Sequence, residues 1–154
     1  MDVLVILGSK SDADRGKKAV AVLEEFGVQT RLIVASAHRT PNRLRKAVED
    51  SDAQIFIAMA GMSAALPGTV AALTIHPVIG VPLSGKLNMD AVLAVTQMPP
   101  GIPVAAVSLD GAVNAALLAV EILALSQPTL RERLETYREG MREAIEKDSG
   151  TLGG

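Results

Sequence analysis

The stretch "VLVILGSKSDADRGKKAVAVLEEFG", Val3 to Gly27, decides the architecture. Its first five residues are apolar without polar alternation, as in a strand covered on both faces. The run breaks at Gly8, passes through a short polar loop, and becomes a helical pattern from about Asp12 to Phe26. Ala19, Val22, Leu23 and Phe26 share one stripe of that helix, and Gly27 supplies its C-terminal stop.

The same unit recurs along the chain. Runs rich in Val and Ile at Arg31–Val34, Gln54–Ala58, Pro77–Val81 and Val104–Val107 read as further strands. Helices are expected from Pro41, from near Leu66-Pro67, from near Asn88, and over Ala112 to Leu125. Strand–helix alternation implies right-handed crossovers and a parallel sheet with helices on both faces. The fold class is therefore α/β: a three-layer αβα sandwich, flavodoxin-like, with a parallel five-stranded sheet and an extra C-terminal helix.

Composition narrows the function. At 154 residues the chain suits one domain; apolar residues make up 49 % but aromatics only 2 %, so the core must be aliphatic. A formal net charge of −2 gives no electrostatic reason to expect nucleic acid or an anionic membrane as partner. Cysteine is absent, which excludes disulfides, thiolate zinc sites and thiol nucleophiles and suits the cytoplasm. No signal-peptide pattern opens the chain, and no apolar stretch is long enough to span a membrane.

Residues 1–126 are expected to form the flavodoxin-like domain, 127–148 a C-terminal helix, and 149–154 a frayed tail. "AVNAALLAVEILAL", Ala112 to Leu125, is apolar almost all round, as in a helix covered on two sides. After Pro128, Leu130, Leu134, Tyr137, Met141 and Ile145 step by four and three, and Glu143 and Lys147 can pair. That helix packs either on its own domain or, the reading preferred here, as an arm over a neighbouring subunit of a homo-oligomer.

In open α/β sheets ligands bind beyond the carboxyl ends of the strands, where strand order reverses. The loops after the first three strands are the unusual ones. In "GSKSD", Gly8 allows a tight turn, Ser9 and Ser11 offer hydroxyls, and the helix start offers amide hydrogens to an anion. Asp12 would repel a phosphate; it either caps the helix or accepts from a sugar hydroxyl. In "SAHRTP", Ser36 and Arg39 are natural phosphate partners. His38 beside them can exchange a proton with a ligand in either direction near neutrality, or else is a structural imidazole at a strand end. In "AGMSAALPG", Gly61, Ala64 and Ala65 would let main chain approach a flat ligand, and Pro67 starts a helix aimed at the site; a plain tight turn is the alternative.

Other chemistries fit less well. "GSKSDAD" is not the G-x-G-x-x-G of a dinucleotide fold, and no aromatic lies in these loops to stack on a flavin. His76, in "TIHPVIG", is expected at the opposite end of the sheet. With one rim histidine and no carboxylate cluster, no metal is expected, and neither Ser9 nor Ser36 has a hydrolase nucleophile setting.

"GSKSD", "SAHRTP", "AG…ALPG", "PVIGVP", "QMPPGIPV" and "NAALLA" occur in this order at the spacing of a known family. From about Val3 to Leu125 the chain resembles the N5-carboxyaminoimidazole ribonucleotide mutases of purine biosynthesis, also called phosphoribosylaminoimidazole carboxylase catalytic subunits. The resemblance implies a flavodoxin-like cytoplasmic enzyme, assembled as octamers in which subunits complete each other's sites, without metal, nucleotide or organic cofactor. It implies that Ser9, Asp12 and Arg39 bind the ribonucleotide substrate, with Gly8, Ser11 and Ser36 in the same phosphate and ribose region. It makes His38 the general acid/base, and it sets Gly61, Ser63, Ala64, Ala65 and Leu66 around the aminoimidazole and its carboxylate. Carbon dioxide is the implied transient partner, and an ATP-dependent carboxylase a possible functional one.

One position departs: relatives commonly carry histidine where this chain has Ala65, so a possible carboxylate contact is missing. The loop also lacks the "AGRSN" of relatives that carboxylate aminoimidazole ribonucleotide directly. Direct carboxylation is the runner-up activity. A binding module without turnover, or a purely structural oligomer, are the readings outside enzymes.

Overall fold

The computed structural model describes residues 1–86 and 88–152. The chain divides into two compact units, Met1–Ala119 and Val120–Gly154, and the division falls inside a helix instead of near residue 126. The first unit holds a five-stranded sheet: β1 (Val3–Leu7), β2 (Thr30–Val34), β3 (Ile55–Ala60), β4 (Val78–Pro82) and β5 (Ala105–Ala106). All pairings are parallel and the order is β2-β1-β3-β4-β5, with Val5 beside Leu32 on one side and Ile57 on the other. This is the flavodoxin-like order, and its direction reverses between β1 and β3.

The continuous apolar runs are explained at the centre of the sheet, where every residue of β1, β3 and β4 is buried. Leu4, Ile6, Phe56, Ala58 and Val78 face a core completed by α2 (Pro41–Glu49), α3 (Leu66–Ala71) and α4 (Asn88–Thr96) through Leu44, Val48, Val70 and Val95. On the opposite face, α1 (Ala13–Glu25) comes so close that a methyl on its Gly16 would lie 2.9 Å from Leu32 Cδ1 and 3.0 Å from Leu7 Cδ1. Gly27 ends this helix with φ 73°, and the amide of Val28 donates to the Leu23 carbonyl, closing the turn as expected.

The edges differ from the expectation of strands covered on both faces. β2 is only partly buried, and β5 shrinks to two exposed residues instead of four. Edge strands have a neighbour on one side only, so an apolar run there does not report two covered faces.

The last helix of the first unit, α5 (Ala112–Ala124), buries Ala115, Ala116 and Ala119 but leaves Val113 and Asn114 exposed, so within one chain it is covered on one side. The second unit comprises the end of α5 and α6 (Pro128–Leu152). Leu130 is buried and Leu134 and Tyr137 are half-buried, but Met141 and Ile145, on the same stripe, are exposed. Arg138 pairs with Glu121, and Arg142 with Glu139; the expected Glu143–Lys147 pair is not among the ion pairs of the described residues. Residues 149–152, expected as a frayed tail, continue the helix, and the final two residues lie outside the described ones. Among the described residues no helix is long and apolar enough to cross a membrane.

Candidate active site

The turn after β2 is built by its own polar side chains. The Ser36 amide donates to Thr40 Oγ1 (2.9 Å), the Thr40 amide to the Ser36 carbonyl (3.1 Å), and the Arg39 amide to Ser36 Oγ (3.2 Å). Ser36 is thereby buried as the knot of the turn and Ala37 packs against the core, while His38 and Arg39 are exposed. Pro41 then starts α2 where its missing N–H costs nothing. The Arg39 guanidinium reaches across to β1, donating from Nη2 to the Gly8 carbonyl at 2.8 Å and from Nε to Ser36 Oγ at 3.4 Å.

The β1 loop is a single turn of 3-10 helix, Lys10–Asp12. Ser9 caps it, its Oγ accepting from the Ser11 amide at 3.4 Å. Asp12 makes no side-chain cap, contrary to one expectation; its Oδ1 instead accepts from the Ser11 hydroxyl at 3.3 Å. Gly8 is not used for a special conformation either: a methyl there would only reach ordinary contact, 3.9 Å from Ala60 Cβ. Its contribution is the carbonyl that holds Arg39.

After β3 the chain turns through Gly61 to Ala64, with the Ala64 amide returning to the Gly61 carbonyl at 3.0 Å. Ser63 and Ala64 adopt φ 61° and 35°, the left-handed region that side chains disfavour. Such strain costs on the order of 1–3 kcal/mol per residue and collects where a loop must present groups to a ligand. Gly61 brings the loop against the end of β4: a methyl there would lie in contact with the Leu83 carbonyl, at 3.4 Å.

These loops enclose one crevice of about 470 Å³ at the carboxyl ends of the strands. Gly8, Ser9, Ser11 and Asp12 line it from the β1 loop, and Ser36, His38 and Arg39 from the β2 turn. Gly61, Ser63, Ala65 and Leu66 line it from the β3 loop. Ala64 alone among the expected residues does not: its side chain is buried behind the turn, where its strained φ directs it. Ala37, Ala60, Met62 and Ser84 join the lining without having been expected. Ser84 follows β4, and extending the strand-end rule to the fourth strand would have found it. His76 lies before β4 at the far end of the sheet, its ring 6.4 Å from that of Phe56.

Beyond Ser84, Arg15 and Asp110 form a half-buried pair, Nε to Oδ1 at 3.4 Å. Partial burial by itself raises the Asp110 carboxyl, but hydrogen bonds from Ser84 and the Arg15 charge outweigh it and hold the carboxyl below its ordinary range. Among the described residues no group of three His, Cys, Asp or Glu side chains could hold a metal ion.

An open α/β sheet with a crevice at the reversal point, its walls carrying serine hydroxyls, an arginine and an exposed imidazole, places this chain among the α/β proteins whose ligand crevice lies beyond the strand ends. Residues 2–144 match the family model "AIR carboxylase", and the chain belongs to that family. It is 51% identical over 144 residues to the N5-carboxyaminoimidazole ribonucleotide mutase of Methanocaldococcus jannaschii, covering 93% of this chain and 92% of that protein. It is 52% identical over 143 residues to the mutase of the same name from Pyrococcus abyssi, covering 90% and 82%. A crystal structure of Treponema denticola PurE superposes with a TM-score of 0.89 at 29% identity, covering 97% of each chain.

Proposed function

We propose that this protein is an enzyme of de novo purine biosynthesis that converts N5-carboxyaminoimidazole ribonucleotide into 4-carboxy-5-aminoimidazole ribonucleotide. The observation that carries the reading is His38 on the wall of the same crevice as Arg39, Ser36, Ser9 and Asp12. Arg39, held by the Gly8 carbonyl and Ser36, presents its remaining donors to the phosphate, with the serine hydroxyls beside it. Asp12 accepts from the ribose hydroxyls, and the uncharged β3 loop lies against the aminoimidazole.

Chemistry then needs one imidazole. Protonated His38 gives its proton to N5 as the N5–carboxyl bond breaks and carbon dioxide leaves. The crevice retains the carbon dioxide; C4 attacks it, forming the new carbon–carbon bond. Neutral His38 removes the C4 proton and returns to its starting state, so atoms and charge balance without a cofactor. The exposed Met141 and Ile145 of α6 support a homo-oligomer, an octamer by resemblance, in the cytoplasm, supplied with substrate by an ATP-dependent carboxylase.

The test is to supply purified protein with N5-carboxyaminoimidazole ribonucleotide, or with aminoimidazole ribonucleotide plus bicarbonate, and follow the 4-carboxylated product. Efficient product from the first alone is the expected result. Efficient product from the second makes the protein a direct carboxylase, and none from either refutes the enzymatic reading.

A further inference from the structure

Ser84 belongs to a small network on the far wall of the crevice. Its amide donates to Asp110 Oδ1 at 3.0 Å, and its Oγ accepts from Arg15 Nη2 at 3.2 Å. Asp110 is in turn held by the Arg15 Nε contact and by its own amide on the Pro82 carbonyl at 2.9 Å. It adopts φ 56°, a conformation that aspartate tolerates at a cost. Half-exposed ion pairs add little stability, so a strained aspartate that organises one serine points to a use for that serine.

Resting on the mutase reading above, we infer that Ser84 is a substrate contact that donates its hydroxyl hydrogen to the substrate carboxylate, with Arg15 and Asp110 as its positioning residues. Three observations lead there. Ser84 follows β4, next to β3, and the β3 loop is packed against it: the Leu83 carbonyl sits where a methyl on Gly61 would be 3.4 Å away. Ala65, on that loop, brings only a methyl group to the crevice, so the wall around the carboxylate lacks a polar group there. Arg15 occupies a lone pair of Ser84 Oγ, so the hydroxyl hydrogen, which otherwise rests on Asp110, can turn toward a ligand, and the Arg15 charge offsets that of Asp110, which would otherwise repel a carboxylate.

Two ligands that differ only in the carboxylate test this: 4-carboxy-5-aminoimidazole ribonucleotide and aminoimidazole ribonucleotide, titrated calorimetrically into wild type, Ser84→Ala and Asp110→Asn. Ser84→Ala keeps the amide that Asp110 binds. It should weaken the carboxylated ligand about tenfold, the worth of one hydrogen bond to a charged group, and change the other less than twofold. Asp110→Asn keeps an acceptor for that amide and tolerates the same backbone; it should give the same selective loss in smaller measure. Equal weakening of both ligands, or of neither, overturns the inference, since a merely structural role would not distinguish them. If wild type binds neither ligand the mutase reading itself falls, which is a separate outcome.

Discussion

Gly80→Ala adds one methyl group at the middle of β4, and the structure sets its cost. The new carbon would lie 2.5 Å from Val95 Cγ1, 2.8 Å from Val104 Cγ1 and 3.1 Å from Pro67 Cβ. Carbon atoms prefer separations of about 3.5–4.0 Å, so Val95 would have to retreat by roughly 1 Å and Val104 by somewhat less. Neither move is easy. Val95 is fully buried on α4, and a β-branched side chain in a helix has one strongly preferred rotamer. Overpacking of this kind costs about 1–3 kcal/mol, and two contacts under 3.0 Å put it at the upper end; alanine recovers roughly 0.5–1 of that by restricting the unfolded chain, leaving a loss of about 2 kcal/mol. For a chain of this length that lowers the melting temperature by roughly 4–8 °C. Urea unfolding followed by circular dichroism, at fixed protein concentration, measures it. Adding Val95→Ala removes the closest clash, so the double variant should be more stable than the summed single losses predict, by about 1 kcal/mol. A Gly80→Ala protein within about 0.5 kcal/mol of wild type, or strict additivity with Val95→Ala, would refute the packing described here.

Three further outcomes are expected. His38→Asn should lower turnover of N5-carboxyaminoimidazole ribonucleotide by about 10²–10⁴-fold with unchanged circular dichroism, and near-normal turnover would remove His38 from the chemistry. Arg39→Met cuts the tie to the Gly8 carbonyl and the phosphate contact together; steady-state kinetics should show KM raised by roughly 10–100-fold, with a smaller change in kcat. Asp110→Asn should be less stable than wild type near neutrality. Because the folded-state carboxyl lies below its unfolded value of about 3.9, that stability difference is full above that pH and disappears as pH falls through the folded value. Urea midpoints measured from pH 7 down to pH 3 check the sign; a difference that grows on acidification contradicts it.

Most elements were legible because local signals agreed. Gly27 and Pro41 mark a helix end and a helix start that backbone geometry alone requires, and both occur where expected. Val3–Leu7 reads as a central strand because only a strand buried on both faces can be apolar throughout. The same inference misled at β5, where Val104 and Val107 announce a buried strand although the strand is only Ala105 and Ala106 at the edge between them. Nor could spacing reveal that Ala64 turns inward while Ser63 and Ala65 face the crevice, since that depends on two left-handed residues in succession. Arg15 and Asp110 were invisible as a pair: 95 positions apart, they meet only because the helix after β1 and the loop after β5 lie together.

What the chain settles unaided is the alternation of strands and helices and the composition of each strand-end loop, because those depend on neighbours within a few residues. Which loops share a crevice is a property of strand order, and β2-β1-β3-β4-β5 is set by how whole apolar faces pack. His38 and Gly61 become partners only when β1 lies between β2 and β3, a proximity that no local preference encodes.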